Sequence, residues 1–301
     1  DREPGRYYLM DAASGELKLL NRSRPWLSAD VLVPMKPIQF DHFDEAASNF
    51  LPAMLPALQK PLDDQTNILQ LTTALDALRQ WDYVASRDAV APAIWLRWLE
   101  KYRDNVWDDE WVVSGIEKKA GSWGFCGENR REPTLEVLEY LTREMPDSSW
   151  FDDRRTAERE NRDSLLRKSF VEAVISLKTE YGSDVHKWAW KHVNVLNVES
   201  LSGDPQLNVS GTPLVGTAFT LNPGGNVGHV GSGASWRMIV DFGYPADSIG
   251  IYPGGQSEDP KSEHYADQIP RWAAGEYAQL HMTRTLGELP DSAKRKQLTF
   301  K

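Results

Sequence analysis

Apolar side chains in the first part of the chain recur at the spacing of amphipathic helices. Between residues 43 and 58 they fall three or four positions apart, which places them on one face of a helix. Pro52 and Pro56 lie inside this stretch, and a proline removes a backbone hydrogen bond and clashes with the preceding turn. We therefore expect this first helix to be kinked or split.

Further helices are predicted from the same spacing. The second has candidate capping residues at Asp63, Asp64 and Thr66 and is expected to end near Trp81. A later, short helix is expected to be capped by Thr134. The apolar positions of these helices are Ile68, Leu71, Leu75 and Leu78, then Val90, Ile94, Trp95, Trp98 and Tyr102, then Leu135, Leu138 and Leu141, and finally Leu166, Phe170, Val174, Leu177 and Tyr181.

Between these helices, the apolar pattern fades after Trp107, and the glycines at 121–127 predict a loop. The charges of both signs at 152–167 predict a solvated helix face that leads into the last helix. Gly182 is expected to end that helix, since glycine is the commonest residue just past a helix C-terminus.

Turn-forming residues divide the chain after Gly182 into short segments that we expect to be strands. Trp236, Met238 and Val240 alternate with their neighbours as in a half-buried strand, and residues 249–252 follow after a turn. The change near Gly182 therefore predicts an α+β protein, helical first and β-rich afterwards.

Composition and charge narrow the function classes. The sequence carries 34 Lys and Arg against 44 Asp and Glu, a net charge of −10 that disfavours nucleic acid. No apolar run approaches the roughly 20 residues of a membrane span. The single cysteine, Cys126, excludes an internal disulfide or a thiolate metal cluster. The first residues lack the pattern of a signal peptide, which indicates a cytoplasmic protein or part of a processed one.

A search for catalytic and metal-binding patterns finds none. The segments around Ser235 and Ser257 lack the closing glycine of a nucleophile elbow, and no H-E-x-x-H pair is present. His186 and His192 flank tryptophans, which favours a packed or hydrogen-bonded role over metal binding. The 12 tryptophans allow a carbohydrate-binding alternative, but several of them fall on apolar helix positions, where core packing is the default.

Several linked motifs in the C-terminal third resemble one enzyme family. Residues 233–241 read GASWRMIVD, 253–257 PGGQS, 262–268 SEHYADQ and 272–277 WAAGEY. Upstream, 39–41 read QFD, 81–82 WD and 188–192 WAWKH. Their order and spacing are similar to those of the penicillin acylase (penicillin amidase) family. Two positions depart from its pattern, because Tyr83 and Glu258 stand where the family usually has glycine.

The resemblance implies an N-terminal-nucleophile hydrolase with a four-layer αββα sandwich. In this family a serine at the start of the β chain attacks an amide and its own α-amine acts as the base. An asparagine stabilises the oxyanion, and calcium is bound. All these groups lie upstream of the matched motifs, so the resemblance assigns no catalytic residue, metal ligand or cofactor here.

The same resemblance implies how the chain is organised and what it accompanies. Residues 1–182 would be a mainly helical region of the acylase β chain, 183–285 a β-rich region completing the sandwich, and 286–301 a tail. The expected partners are the α chain, the N-terminal part of the β chain and a small acyl-amide substrate, with no nucleic acid and no membrane. The family suggests a periplasmic or secreted protein.

Eight polar residues of the C-terminal motifs form the candidate site. We interpret them as a buried hydrogen-bond network that holds the end of the chain, and a substrate-facing cluster is the alternative. Replacing Tyr265 or Asp267 with alanine is then expected to lower stability more than substrate affinity. The eight residues are Arg237, Asp241, Gln256, Ser257, His264, Tyr265, Asp267 and Gln268.

Two functions of different classes remain open. The first is part of an amidohydrolase that cleaves acylated amines such as penicillins, cephalosporins or acyl-homoserine lactones. The second is a non-catalytic remnant or binding module that retains only the C-terminal fold. By itself, the chain of 301 residues is expected to be inactive.

Overall fold

The computed structural model describes residues 6–10, 14, 17–22, 42–60, 62, 64, 66–113, 133–200, 202–224, 233–241, 243–244 and 247–280. The chain forms two compact units, Asp1–Gln39 and Phe40–Lys301, so the change of pattern at Gly182 lies inside the second unit. The expected loop at 121–127 and the expected tail at 286–301 lie outside the described residues.

The first unit contains an antiparallel pair of strands, β1 (Arg6–Met10) and β2 (Leu17–Arg22). The register shifts between Tyr7 and Tyr8. These strands lie in a stretch that we expected to be mainly helical. Aromatic residues favour extended backbone, and the segments are too short to show a helical period, so strand pairing prevails here.

The second unit begins with helices. Three turns of 3₁₀ helix lie among them, at Leu55–Gln59, Ser149–Phe151 and Val185–Trp188. The α-helices are α1 (Glu45–Met54), α2 (Ile68–Arg79), α3 (Ala91–Val113), α4 (Leu135–Glu144), α5 (Arg162–Tyr181) and α6 (Trp190–Val193).

The first two helices differ in detail from their predicted ends. Helix α1 continues through Pro52, and the chain changes to 3₁₀ geometry around Pro56, so the second proline splits the helix. Helix α2 begins after Asn67, whose side chain makes no capping bond. Asp64 instead accepts hydrogen bonds from the backbone N–H groups of Thr66 and Asn67, in the turn before the helix.

The charged stretch at 152–167 is only partly helical, which corrects the prediction of a solvated helix face. Residues 152–161 form turns, and α5 begins at Arg162. The charges here bond within the turns: the Asp153 carboxylate accepts from Arg155 Nε at 2.7 Å, and Asp152 accepts from the Glu160 backbone N–H. Such local pairs satisfy the loop backbone, so spacing alone misassigns the segment.

The core of the helical region lies between α3 and α5. Trp98 packs edge-on against Phe170, with ring centroids 5.1 Å apart, and its indole N–H donates to the Leu166 carbonyl at 3.0 Å. Trp81 and Trp95 are buried as well, so core packing accounts for these tryptophans. Helix α5 ends at Gly182 as predicted, with a φ of +89°.

Short strands follow Gly182. Strands β3 (Val195–Val198) and β4 (Val209–Pro213) pair with each other. Strands β5 (Arg237–Ile239), β6 (Ile249–Ile251) and β7 (Ala278–Gln279) form an antiparallel sheet in that order, and the short helix α7 (Ile269–Ala273) precedes β7. Helices and strands together make the second unit α+β.

Tyr83 has a left-handed backbone, with a φ of +64°, at a position where the resemblance leads us to expect glycine. A side chain in this conformation costs roughly 1–2 kcal/mol. The ring packs against Phe43 and Trp81, with centroids 5.8 and 5.7 Å away. The Tyr83 carbonyl also accepts from the Asp44 N–H at 2.8 Å, which fixes this strained turn against the start of α1.

We predict that Tyr83→Gly is more stable than Tyr83→Ala by about 1 kcal/mol, because both variants lose the ring and only alanine keeps the strain. The measurement is urea unfolding. As a control, Thr72, exposed on α2, should show the reverse order, since alanine is the better helix former. An alanine variant at position 83 as stable as the glycine variant would contradict the strain.

Candidate functional site

The eight predicted site residues lie mostly at the surface. Arg237 is buried, with 8% of its surface exposed, whereas Asp241, Gln256, His264 and Asp267 are exposed. The other three, Ser257, Tyr265 and Gln268, are half-buried. The single buried network that we expected is therefore not what these residues form, because long polar side chains at loop tips reach water instead.

The exposed members make local bonds. The Asp241 carboxylate accepts from the backbone N–H groups of Gly243 and Tyr244, which closes a turn. Gln256 donates to the Tyr252 hydroxyl. His264 Nδ1 lies 3.0 Å from Asp267 Oδ2, in a surface pair of small energetic value.

The half-buried members tie loops together through backbone groups. The Tyr265 hydroxyl donates to the Leu207 carbonyl at 2.7 Å, and the Ser257 N–H donates to the His264 carbonyl. A Cβ at Gly255 would lie 2.0 Å from that same carbonyl, so only glycine fits in the PGGQS segment at this point. The stability losses expected for Tyr265 and Asp267 variants stay predictions, and the Tyr265 variant would lose a half-buried hydrogen bond to the Leu207 carbonyl.

Arg237 leads to a more ordered arrangement that the sequence did not indicate. Its guanidinium donates to Asn222 Oδ1 at 2.6 Å and to the Trp272 carbonyl, near the end of α7. The Asn222 amide in turn lies 3.0 Å from His42 Nε2. We call these three side chains, His42, Asn222 and Arg237, the polar chain.

The polar chain has only one consistent assignment of hydrogens. A guanidinium can only donate, so Asn222 must present its oxygen to Arg237. Its amide nitrogen then faces His42 Nε2, and because that nitrogen only donates, Nε2 accepts. This hydrogen bond corresponds to the His42 tautomer whose proton is on Nδ1.

Arg237 is held in an aromatic and largely dry setting. Its guanidinium carbon lies 5.7 Å from the centroid of the Trp272 ring and 5.4 Å from that of Tyr277. Burial lowers the pKa of this guanidinium from its usual value. Among the described residues no carboxylate lies within ion-pair distance of it, so ring faces and neutral oxygens stabilise the charge.

A second buried contact lies beside the polar chain, at the start of α1. Asp44 is fully buried and accepts from the Ala47 N–H at 2.7 Å and the Thr217 hydroxyl at 2.7 Å. Burial raises the pKa of the Asp44 carboxyl above its usual value, and these two hydrogen bonds oppose the shift. The contact joins residues 173 positions apart, one from each half of the unit.

The sequence pattern hardly predicts that four residues form buried polar contacts: His42, Asn222, Asp44 and Thr217. Asp44 follows the capping rule, since it precedes α1 as an N-cap should. The other three have no spacing signal, because their partners lie 15 to 180 residues away. By contrast, His186 and His192, which we expected to be packed or hydrogen-bonded, are both exposed.

The described residues contain no assembled hydrolytic centre. Ser235 is exposed, and the Ser257 hydroxyl accepts from the Asp259 N–H. Within the same residues no group of three or more His, Cys, Asp or Glu could hold a metal ion. No described helix is both long and apolar enough to cross a membrane.

Comparison with known proteins identifies the class of protein. The family model of penicillin amidase matches residues 19–286. The chain therefore belongs to the penicillin amidase family, as its C-terminal motifs predict.

Individual relatives match shorter parts of the chain than the family model does. The chain is 33% identical over 141 residues to an acyl-homoserine lactone acylase, QuiP, of Pseudomonas syringae pv. syringae, which covers 44% of this chain and 17% of that protein. QuiP of Pseudomonas syringae pv. tomato is 31% identical over 163 residues, covering 51% and 20%. QuiP of Pseudomonas putida is 29% identical over 205 residues, covering 65% and 24%. The chain thus spans about a fifth of the length of the relatives it matches.

We predict that Arg237→Met lowers the free energy of unfolding by about 2 kcal/mol or more, because Asn222 and the Trp272 carbonyl lose a buried donor. Arg271→Met is the matched control, since Arg271 lies on α7 with about half its side chain exposed. This control should change stability by less than about 1 kcal/mol. If urea unfolding gave equal losses of unfolding free energy for the two variants, the buried bonds of Arg237 would contribute nothing to stability.

We also predict a pH-dependent effect of Asp44→Asn, whose oxygen can still accept from the Ala47 N–H and whose amide can donate to the Thr217 hydroxyl, without a buried charge. A raised folded-state pKa means that the stability contributed by Asp44 is present below its unfolded pKa and lost as pH rises through the folded value. The variant should therefore gain stability relative to the wild type between about pH 4 and about pH 7. Urea unfolding at both pH values measures this, and a constant difference would contradict a raised pKa.

Proposed function

We propose that this chain is the C-terminal portion of the β chain of an N-terminal-nucleophile acylase, an enzyme that hydrolyses the amide bond of N-acylated substrates. The observation that carries the proposal is the family match across residues 19–286. The lack of a nucleophile and base in the described residues agrees with a serine supplied from a segment upstream of Asp1.

The reaction would proceed on groups outside this chain. The serine hydroxyl attacks the amide carbonyl, its proton passes to the serine's own α-amine, and an asparagine with backbone N–H groups stabilises the oxyanion. An α-amine has a pKa near ~8, so it accepts a proton at neutral pH without a second residue. The protonated α-amine would then give this proton to the departing amine, and water, deprotonated by the α-amine, would hydrolyse the acyl-serine ester to release the acid.

This chain would contribute support to that centre. The polar chain fastens β5 and the end of α7 to His42, and the Asp44–Thr217 contact fastens the start of α1 to the strand-bearing half. Buried polar contacts of this kind favour one arrangement of a core. The partners in the proposal are the α chain and the N-terminal part of the β chain, with calcium held upstream and the protein periplasmic or secreted.

The relatives' names point to a substrate class. Acyl-homoserine lactones carry an acyl amide on a lactone ring, and penicillins and cephalosporins carry one on a β-lactam. We propose N-acyl-homoserine lactones as the first substrates to test because the relatives are named acyl-homoserine lactone acylases. The competing function is a non-catalytic module of the same fold, which an independent start codon with no acylase sequence upstream would favour.

The test compares the 301-residue chain with a protein extended by its upstream coding sequence. Release of amine from N-acyl-homoserine lactones, penicillins and acyl anilides should occur only in the extended protein, and replacing the first serine of its β chain with alanine should abolish it. Turnover by the 301-residue chain that survives repurification would contradict the proposal. Ser235→Ala and Ser257→Ala would then locate the missed nucleophile.

A further inference from the structure

The last sheet of the chain is built within one segment. Among the described strands β5, β6 and β7 pair only with one another, and Arg237 lies opposite Ile251 in their register. Helix α7 is tied to the same segment, because the Trp272 indole N–H donates to the Ala234 carbonyl at 2.7 Å. We call residues 233–241 and 247–280 the strap.

Side-chain contacts, rather than strand pairing, hold the strap to the other described residues of the second unit. Arg237 donates to Asn222 Oδ1 at 2.6 Å, and the Tyr265 hydroxyl donates to the Leu207 carbonyl at 2.7 Å. Helix α7 also contacts β4. The apolar part of the attachment is a small buried cluster, made of Ile251, Trp272 and Ala273 of the strap with Leu196 and Leu214.

The helical region has a separate and much larger apolar cluster. Its buried members run from Ala46 to Val193, and none of them belongs to the strap. Burial of apolar surface is the dominant favourable term in folding, so this cluster holds the helices together far more strongly than the small cluster holds the strap. Proteins open locally in contiguous cooperative units whose free energies follow such differences.

We infer that the strap detaches and unfolds as one cooperative unit while the helical core stays folded. Detachment breaks the bond between Arg237 and Asn222 and exposes Leu196 and Leu214 to water. The strands of the strap have only two or three residues, so the sheet does not persist once this packing is lost. The inference concerns the 301-residue chain itself and does not rest on the proposed function.

Hydrogen exchange of backbone amides, measured on the 301-residue chain by mass spectrometry at increasing urea, tests the inference. The reporters in the strap are the amides of β5 and β6 and the Trp272 N–H, which donates to the Gln268 carbonyl. The reporters in the core are the amides in the middle of α3 and α5. We expect the strap amides to exchange at least about 100-fold faster than the core amides and to share one dependence on urea.

Two substitutions distinguish local opening from global unfolding. Leu177 is fully buried in the helical cluster, so Leu177→Ala weakens the core equally whether the strap is closed or open. This variant should accelerate exchange in α3 and α5 by about 30-fold or more and leave the strap unchanged. Arg237→Met destabilises the closed state relative to every open one, so it should accelerate the strap and the core by the same factor.

Arg271→Met is the control for Arg237→Met, because Arg271 lies on α7 with about half its side chain exposed. It should change exchange in either region by less than about fivefold. Val174→Ala, also fully buried on α5, takes the place of Leu177→Ala if that variant does not fold.

Three results would overturn the inference. The first is exchange in the strap as slow as in the middle of α3 and α5. The second is acceleration of the strap by Leu177→Ala to the same extent as the helices, which would mean that the second unit opens only as a whole. The third is a different urea dependence for β5, β6 and α7, which would mean that the strap does not open as one unit.

Discussion

The hydrogen bond between Asp44 and Thr217 is the contact on which the second unit depends. It joins the first turn of α1 to the loop that follows β4, and it lies in the interior, where water cannot replace it. The backbone around it repeats the same connection, because the Gly216 N–H donates to the Ala85 carbonyl and the Trp190 N–H donates to the Ala89 carbonyl. The helical and strand-bearing halves therefore belong to one compact unit, although their apolar residues form two separate clusters.

The polar chain extends this connection towards β5. Asn222 lies in the loop that carries Thr217, so the residues that hold Asp44 and those that hold Arg237 share one short segment. The Asp44 carboxylate, the Asn222 amide and two nitrogens of the Arg237 guanidinium thus have partners, whereas Arg237 Nε is buried without one and His42 is half-buried. Such a network is costly to disturb at any one member, and it gives the C-terminal half a defined position without a large apolar core.

The sequence predicted those features that repeat along the chain. Helices α3 and α5 were visible because their buried faces recur every three or four residues, and β5 because its neighbours alternate. The prediction of a helix at 152–161 is wrong, since the side chains of Asp153 and Arg155 bond to each other and do not face solvent from a helix. The spacing of apolar residues indicates which face of a helix or strand is buried, but it does not indicate which charged side chains pair with each other.

The candidate site was only partly foreseeable for a related reason. Arg237 came from a recognisable motif, but Asn222 and His42 lie 15 and 180 residues from their partners and belong to no periodic pattern. The exposure of Gln256, His264 and Asp267 could not be predicted either, because polar residues that are close in sequence need not be buried together in the fold. Long-range polar contacts are decided by the folded backbone.

Tyr83 has a left-handed backbone at a position where the resemblance to the family leads us to expect glycine. The left-handed backbone disfavours tyrosine by an amount comparable to what an edge-on contact with Phe43 and a tilted contact with Trp81 return. Exchange of glycine and tyrosine at this position would therefore change the stability of the protein only slightly. The shape of the turn does not depend on the side chain at position 83, because the hydrogen bond from the Asp44 backbone N–H to the carbonyl of residue 83 defines it.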